Sequence, residues 1–231
     1  FLEALQTGEP EAPPPPEEKH VPAGAFHEPP AQSGPALSEE ERITVLDEIA
    51  TEVSECRECR LCYSRTHTVP GEGNPMAELM FVGEGPGANE DMQGRPFVGK
   101  AGDLLTKIIQ AMQFEREQVY IANVVKCRPP GNRQPEMDEM QQCLPYLQRQ
   151  IAAIRPKVIV TLGKTALMGL LPEHQRSAIT RVRGGWLDFE GIPVMPTFHP
   201  AYLLRSPAQK KYVWQDMQEV MEVFGKKPPG K

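Results

Sequence analysis

A chain of 231 residues, 39% of them hydrophobic, is long enough for one full core and an appendage, and it holds no run approaching the ~20 apolar residues that span a bilayer. Its net charge of −6 is unevenly placed: residues 1–40 carry eight glutamates against one lysine, leaving 24 basic and 23 acidic residues over 41–231. An acidic total of this kind does not exclude a nucleic-acid groove on the folded part.

In chain order, residues 1–40 contain nine of the 25 prolines, including the run Pro13 to Pro16. They offer too little apolar surface to offset ordering and read as a disordered acidic tail, a segment suited to an unidentified protein partner. The residues after Phe1 show no basic n-region, apolar core or small-residue cleavage site, so the expectation is a cytoplasmic protein with reduced thiols. Residues 41–231 read as one domain. Ser38 and Glu41 form a capping box, and Leu46, Ile49, Ala50 and Val53 then recur at helical spacing, predicting a helix that runs up to CRECRLC. Beyond it, ELMFVG (78–83), VYIANVV (119–125), KVIVTLG (157–163) and IPVMPTF (192–198) predict four strands. The intervening AGDLLTKIIQAMQ, PEMDEMQQCLPYLQRQIAAIR and KTALMGLL predict helices, as does the closing VWQDMQEVMEVFG. Alternation of this kind predicts a mostly parallel sheet covered on both faces, with ligands at the C-terminal strand ends. Those ends carry GEGPGANED, Asn123 with KCRPPGNR, LGKT and FHPAYLLR, which predicts one composite site.

The cysteines ask for a ligand. Cys56 and Cys59 in CxxC form one pair, and Cys127 with Cys143, sixteen residues later, could form a second. Four thiolates suffice for an iron-sulfur cubane or a tetrahedral zinc, while Cys127 and Cys143 as plain buried residues is the bland alternative. Cys62 is left over. Pro145 is expected to kink or break its helix and so aim Cys143. Gly83, Gly85 and Ala88 fit a loose dinucleotide pattern, but Pro86 and NEDMQGR do not look like a phosphate-binding helix start. LGKT fails as a P-loop because its upstream glycine would fall at Val158.

Taken together, GEGPGANED, GRPFVGKAG, NVVKCRPPGNR and FHPAYLLR behind the CxxC resemble the family 4 uracil-DNA glycosylases, iron-sulfur enzymes of bacteria and archaea, over roughly residues 50–224. The resemblance implies a three-layer α/β/α sandwich with a central, mostly parallel four-stranded sheet. It implies a [4Fe-4S] cluster on Cys56, Cys59, Cys127 and Cys143, within a glycosylase domain covering 41–231. The implied activity is hydrolysis of the deoxyuridine N-glycosidic bond by a monomer acting on uracil-containing DNA in the bacterial or archaeal cytoplasm, at the nucleoid. With no obvious amine nucleophile in the motifs, no lyase step is expected.

By the same resemblance, Phe97 stacks on uracil, Asn123 reads its edge, His199 faces O2, and the backbone of Gly83, Glu84 and Gly85 completes the pocket. Such a base must be extruded from the duplex to be read. An asparagine amide can pair with uracil N3–H and O4, whereas cytosine reverses that pattern. Other uracil glycosylases carry an aspartate where this loop has Gly85, so the nearby carboxylates Glu84, Glu90 and Asp91 are the candidates to position the water, Glu84 first. Glu90, held by Asn132, is assigned to excluding the thymine methyl. Leu203 or Leu204 is expected to wedge into the vacated stack, with Arg205, Lys164 and Arg133 touching phosphates. Two other classes fit parts of the sequence. A DNA-binding relative that traps uracil sites covalently would want a basic, histidine-bearing insertion, which CRPPGNRQPE lacks. An iron-sulfur electron carrier or sensor would release no base.

Overall fold

The computed structural model describes residues 37–228. The expected tail therefore lies outside the described residues except for its last four positions. Helix α1 (Glu39–Glu55) begins two residues inside it, closed by the predicted capping box: Glu41 N–H donates to Ser38 Oγ at 3.2 Å and Ser38 N–H to Glu41 Oε2 at 2.7 Å. After the cysteine segment come β1 (Glu72–Gly73), β2 (Leu79–Gly83), α2 (Ala88–Gln93), α3 (Lys100–Ala111) and β3 (Tyr120–Asn123). The second half runs α4 (Met137–Ile154), β4 (Val158–Leu162), α5 (Lys164–Leu170), α6 (Ile179–Val182), β5 (Leu187–Phe189), β6 (Ile192–Thr197), α7 (Pro200–Arg205) and α8 (Lys210–Val223).

The sheet has six strands rather than the expected four, in the order β1-β3-β2-β4-β6-β5. The four predicted strands are its parallel centre, paired β3 to β2, β2 to β4 and β4 to β6. The two additional strands are antiparallel edges, β1 on β3 and β5 on β6. At two and three residues, they are too short to show an alternating pattern.

Alternate side chains of the central strands enter opposite layers, as the pleat requires. On one face, Met80, Val82, Ala122, Ile159 and Val194 pack with Leu147 and Ile151 of α4 and Leu167 of α5. On the other, Phe81, Ile121, Val160 and Met195 pack with Leu105 and Ile109 of α3, Leu203 of α7, and Val213 and Met217 of α8. The three-layer α/β/α sandwich is therefore as expected. Pro145 does not break α4, whose hydrogen-bonded helix continues to Ile154. The peptide N–H that proline lacks would have met the carbonyl of Gln141, an exposed residue that water can satisfy.

Candidate active site

The four parallel strands end on the same side, and a cavity of about 540 Å³ opens there. Its wall is assembled from the segments after β2 (Glu84, Gly85, Gly87, Glu90), β3 (Asn123, Pro129, Arg133), β4 (Gly163, Lys164, Thr165) and β6 (His199, Ala201, Arg205), together with Phe97. The expected composite site thus exists as one space.

Close backbone approach explains several glycines. A Cβ on Gly83 would stand 2.6 Å from Phe97 Cζ and would also strike Asn123 Oδ1, so only glycine lets the aromatic and the amide converge on the end of β2. A Cβ on Gly85 would stand 2.6 Å from Val125 Cγ2, so the aspartate other families carry there would force Val125 aside. Phe97 itself has φ 52° and is buried, its ring stacked on that of His199 with centroids 5.7 Å apart and planes 30° from parallel. Asn123 is fully buried, yet its Oδ1 has no hydrogen-bond partner among the described residues. A buried amide oxygen left open costs free energy unless a ligand fills it.

His199 caps α7. Its Nδ1 accepts the Ala201 N–H at 3.0 Å, which leaves the proton of a neutral ring on Nε2. Burial, and secondarily Arg205, pulls its pKa down to about 4, with Glu90 acting in the opposite sense. The ring is therefore a neutral donor at physiological pH. Burial pushes the Glu84 carboxyl up, partly offset by a hydrogen bond from Thr165. Thr165 belongs to the LGKT segment, which fails as a P-loop but follows directly on a strand. Its position at a strand end was the signal that marks it as part of the site.

Glu90 has a different neighbourhood from the one expected. Its Oε1 accepts the peptide N–H of Val98 at 3.1 Å and of Gly99 at 3.2 Å, so the carboxylate braces the residues that follow Phe97. The expected hold by Asn132 is not formed: the partners of Glu90 are these two peptide groups, and Asn132 Oδ1 accepts from Arg128 Nε at 2.7 Å. Leu203 is corrected: at 1% exposure it belongs to the core beneath α7 and cannot enter a base stack, whereas Leu204 is 45% exposed. Lys164 and Arg205 are exposed at the rim. Arg133 also reaches the wall, but its guanidinium is clasped by the buried Glu139 at 2.6 and 2.8 Å, making it a brace for the loop rather than a free cation.

The cysteines gather behind the site. Cys56 and Cys59, Cys127 and Cys143, and the fifth, Cys62, all line one small cavity between the end of α1, the segment following it, and α4. Among the described residues, no three His, Cys, Asp or Glu side chains stand close enough together to be read as ligands of a metal ion. Two donors aim at sulfur: Arg65 Nη1 lies 3.1 Å from Cys127 Sγ, and the Lys126 N–H lies 3.2 Å from Cys143 Sγ. Burial pushes the Cys143 thiol up to about 12, with Lys126 pulling the other way. Lys126, which the sequence did not single out, lies between this cavity and Asn123.

A parallel four-strand centre with an aromatic, an open amide and a neutral histidine meeting at its strand ends defines a pocket for a flat, hydrogen-bonding ring, and comparison with known proteins agrees. The family model described as the uracil DNA glycosylase superfamily matches residues 70–218, and the chain belongs to that superfamily. It is 50% identical over 185 residues to the type-4 uracil-DNA glycosylase of Sulfurisphaera tokodaii, covering 77% of this chain and 84% of that protein. To the type-4 uracil-DNA glycosylase of Saccharolobus solfataricus it is 47% identical over 190 residues (79% and 88%), and to that of Thermotoga maritima 44% over 188 (80% and 97%). Within the superfamily, the chain belongs to the type-4 family.

Proposed function

We propose that this chain removes uracil from DNA, hydrolysing the N-glycosidic bond of deoxyuridine and leaving an abasic site for base excision repair. The observation that carries this reading is the convergence of Phe97, the unpartnered Asn123 Oδ1 and the neutral His199 on one cavity. An extruded uracil stacks on Phe97, and Asn123 accepts its N3–H while donating to O4. Cytosine, unprotonated at N3, leaves the buried amide unpaired and is rejected. As the glycosidic bond lengthens, negative charge collects on the base, and His199 Nε2–H donates to O2. One well-placed donor of this kind is worth about 3 kcal/mol. Glu84 positions the water that attacks the sugar. Leu204 fills the vacated stack, and Lys164 and Arg205 neutralise phosphates at the rim.

Cys56, Cys59, Cys127 and Cys143 suit a [4Fe-4S] cluster: they line one cavity, and Arg65 and the Lys126 N–H supply hydrogen bonds that favour thiolates. Such a cluster fastens the segments around it and takes no part in base removal. No described helix is long and apolar enough to cross a membrane, and the relatives named above are archaeal and bacterial; we assign the chain to the cytoplasm, at the nucleoid.

The test is base release from a uracil-containing oligonucleotide, developed with hot alkali beside a thymine control. Alkali-dependent cleavage of the uracil strand alone is expected. An intact uracil strand overturns the activity, and cleavage without alkali overturns the absence of a lyase step.

A further inference from the structure

A lysine buried to 1% exposure requires partners for its amino group, and Lys126 has two. Its Nζ donates to the carbonyl oxygen of Asn123 at 2.9 Å and to Gln150 Oε1 at 2.7 Å. Gln150 is oriented in turn, because its amide nitrogen donates to the Pro70 carbonyl at 2.8 Å and to the Tyr120 hydroxyl at 3.3 Å, leaving its oxygen for the lysine. The peptide N–H of the same lysine donates to Cys143 Sγ at 3.2 Å. A methionine would fill the volume without burying an amino group. What the amino group adds is a grip on the carbonyl of Asn123, the residue whose side-chain oxygen stands open.

We propose that Lys126 is a positioning residue that fastens the base-reading end of β3 to the cysteine cavity, its side chain gripping the Asn123 carbonyl while its peptide N–H grips Cys143. The proposal rests on the reading of the cavity as a uracil site. Asn123 closes β3, and past it the chain stays paired to the β2 side through Val124 N–H on the Gly83 carbonyl at 2.9 Å and Val125 N–H on the Glu84 carbonyl at 3.2 Å. Lys126 adds the hold from the α4 side. The pitch of the Asn123 amide over the base is thus set by a residue that never touches the base. His199 is delivered separately, by β6 and α7, so loss of Lys126 falls on uracil affinity before it falls on bond cleavage. Displacing Cys143 and removing the lysine act on the two ends of one short segment, the Asn123 carbonyl and the Lys126 N–H, so their effects on uracil binding are coupled.

The experiment uses the full chain and free uracil as the probe, measured as an inhibitor of base release and by direct calorimetric binding, with the visible absorbance of each preparation recorded. Lys126→Met is expected to weaken uracil binding about tenfold, the effect of one lost hydrogen bond at a buried site, and to raise KM more than it lowers kcat. The double variant Lys126→Met/Cys143→Ala is expected to weaken binding by less than the product of the two single effects. Leu147→Ala, a core truncation on α4, is expected to lower Tm with uracil affinity unchanged, separating positioning from general destabilisation. Uracil affinity within twofold of wild type in folded Lys126→Met overturns the proposal, as does strict multiplicativity in the double variant. Should Lys126→Met fail to fold, Gln150→Met removes the second partner of the lysine; a threefold or greater loss of uracil affinity supports the proposal, and unchanged affinity overturns it. A wild-type chain that neither binds uracil nor releases it overturns the functional reading itself, and this proposal with it.

Discussion

At the scale of single residues, the site separates two titrations that sequence alone could not tell apart. His199 has its pKa pulled down to about 4 by burial, below its ordinary value of 6.5. A folded histidine that resists protonation contributes stability that is fully present above the unfolded value and is lost as pH falls from about 6.5 toward 4. In the proposed base release, His199 therefore stays a neutral donor through the mildly acid range. Glu84 moves the other way, its carboxyl pushed up by burial, and in the proposed role it must be ionised to polarise water. The acid limb of kcat/KM is thus expected to report Glu84, to lie above the ordinary carboxylate value of 4.5, and to vanish in Glu84→Gln, whose residual rate is flat with pH; an acid limb retained in that variant would contradict the assignment. His199→Ala should lower kcat by a factor of about 100 or more while leaving the visible absorbance of the proposed cluster intact. Glu90 is tested by its hydrogen bonds. Glu90→Gln keeps an oxygen for the Val98 and Gly99 N–H groups and is expected to retain most activity, whereas Glu90→Ala releases the left-handed backbone at Phe97 and weakens uracil binding. Equal loss in the two variants would point to the negative charge instead.

Elements supply these residues by ending in the right places, and β4 is the clearest case. Gly163 follows it with φ 91°, and a Cβ there would stand 3.1 Å from His199 Cβ. Gly163→Ala is expected to cost about 1–3 kcal/mol through the strained backbone and to lower kcat as well, because the relief available is displacement of the histidine; denaturant unfolding and steady-state kinetics on the same preparation check both. Much of this layer was legible in the sequence. The four central strands, α1 with its capping box, α3, α4, α5 and α8 follow from apolar periodicity long enough to register. The edges β1 and β5 did not register, since Glu72–Gly73 and Leu187–Phe189 are held by backbone pairing with longer neighbours. The helix α7 was hidden because Pro200 and His199 look like loop residues, although proline at a first helical position is a start signal. Choosing between Leu203 and Leu204 needed the direction of that helix, which six residues do not disclose. Motif order located Phe97, Asn123 and His199, but the second partners that hold them, Glu90 for the Phe97 loop and Lys126 for Asn123, lie in hydrogen bonds that no spacing records.

For the whole molecule, the sheet is a partition. The cysteine cavity draws on the layer of α1 and α4, with Leu61, Cys127 and Cys143 all in the core on that face, and no residue lining it belongs to the core formed by α3, α7 and α8. The layers are therefore expected to respond separately when the proposed cysteine-held cluster is lost. In Cys127→Ser, hydrogen exchange should accelerate across α1 and residues 56–67, where Arg65 loses its sulfur partner, while α3, α8 and the central strands keep most of their protection. Base release should nonetheless fall, because Asn123 and Lys126 belong to the segment that Cys127 terminates, even though His199 stands on an intact layer. Uniform loss of protection across both layers would mean that the cysteine cavity supports the entire fold. Unchanged exchange in α1 together with full activity would mean that the thiols support neither layer, leaving the pairing of Cys143 with Lys126 as packing alone.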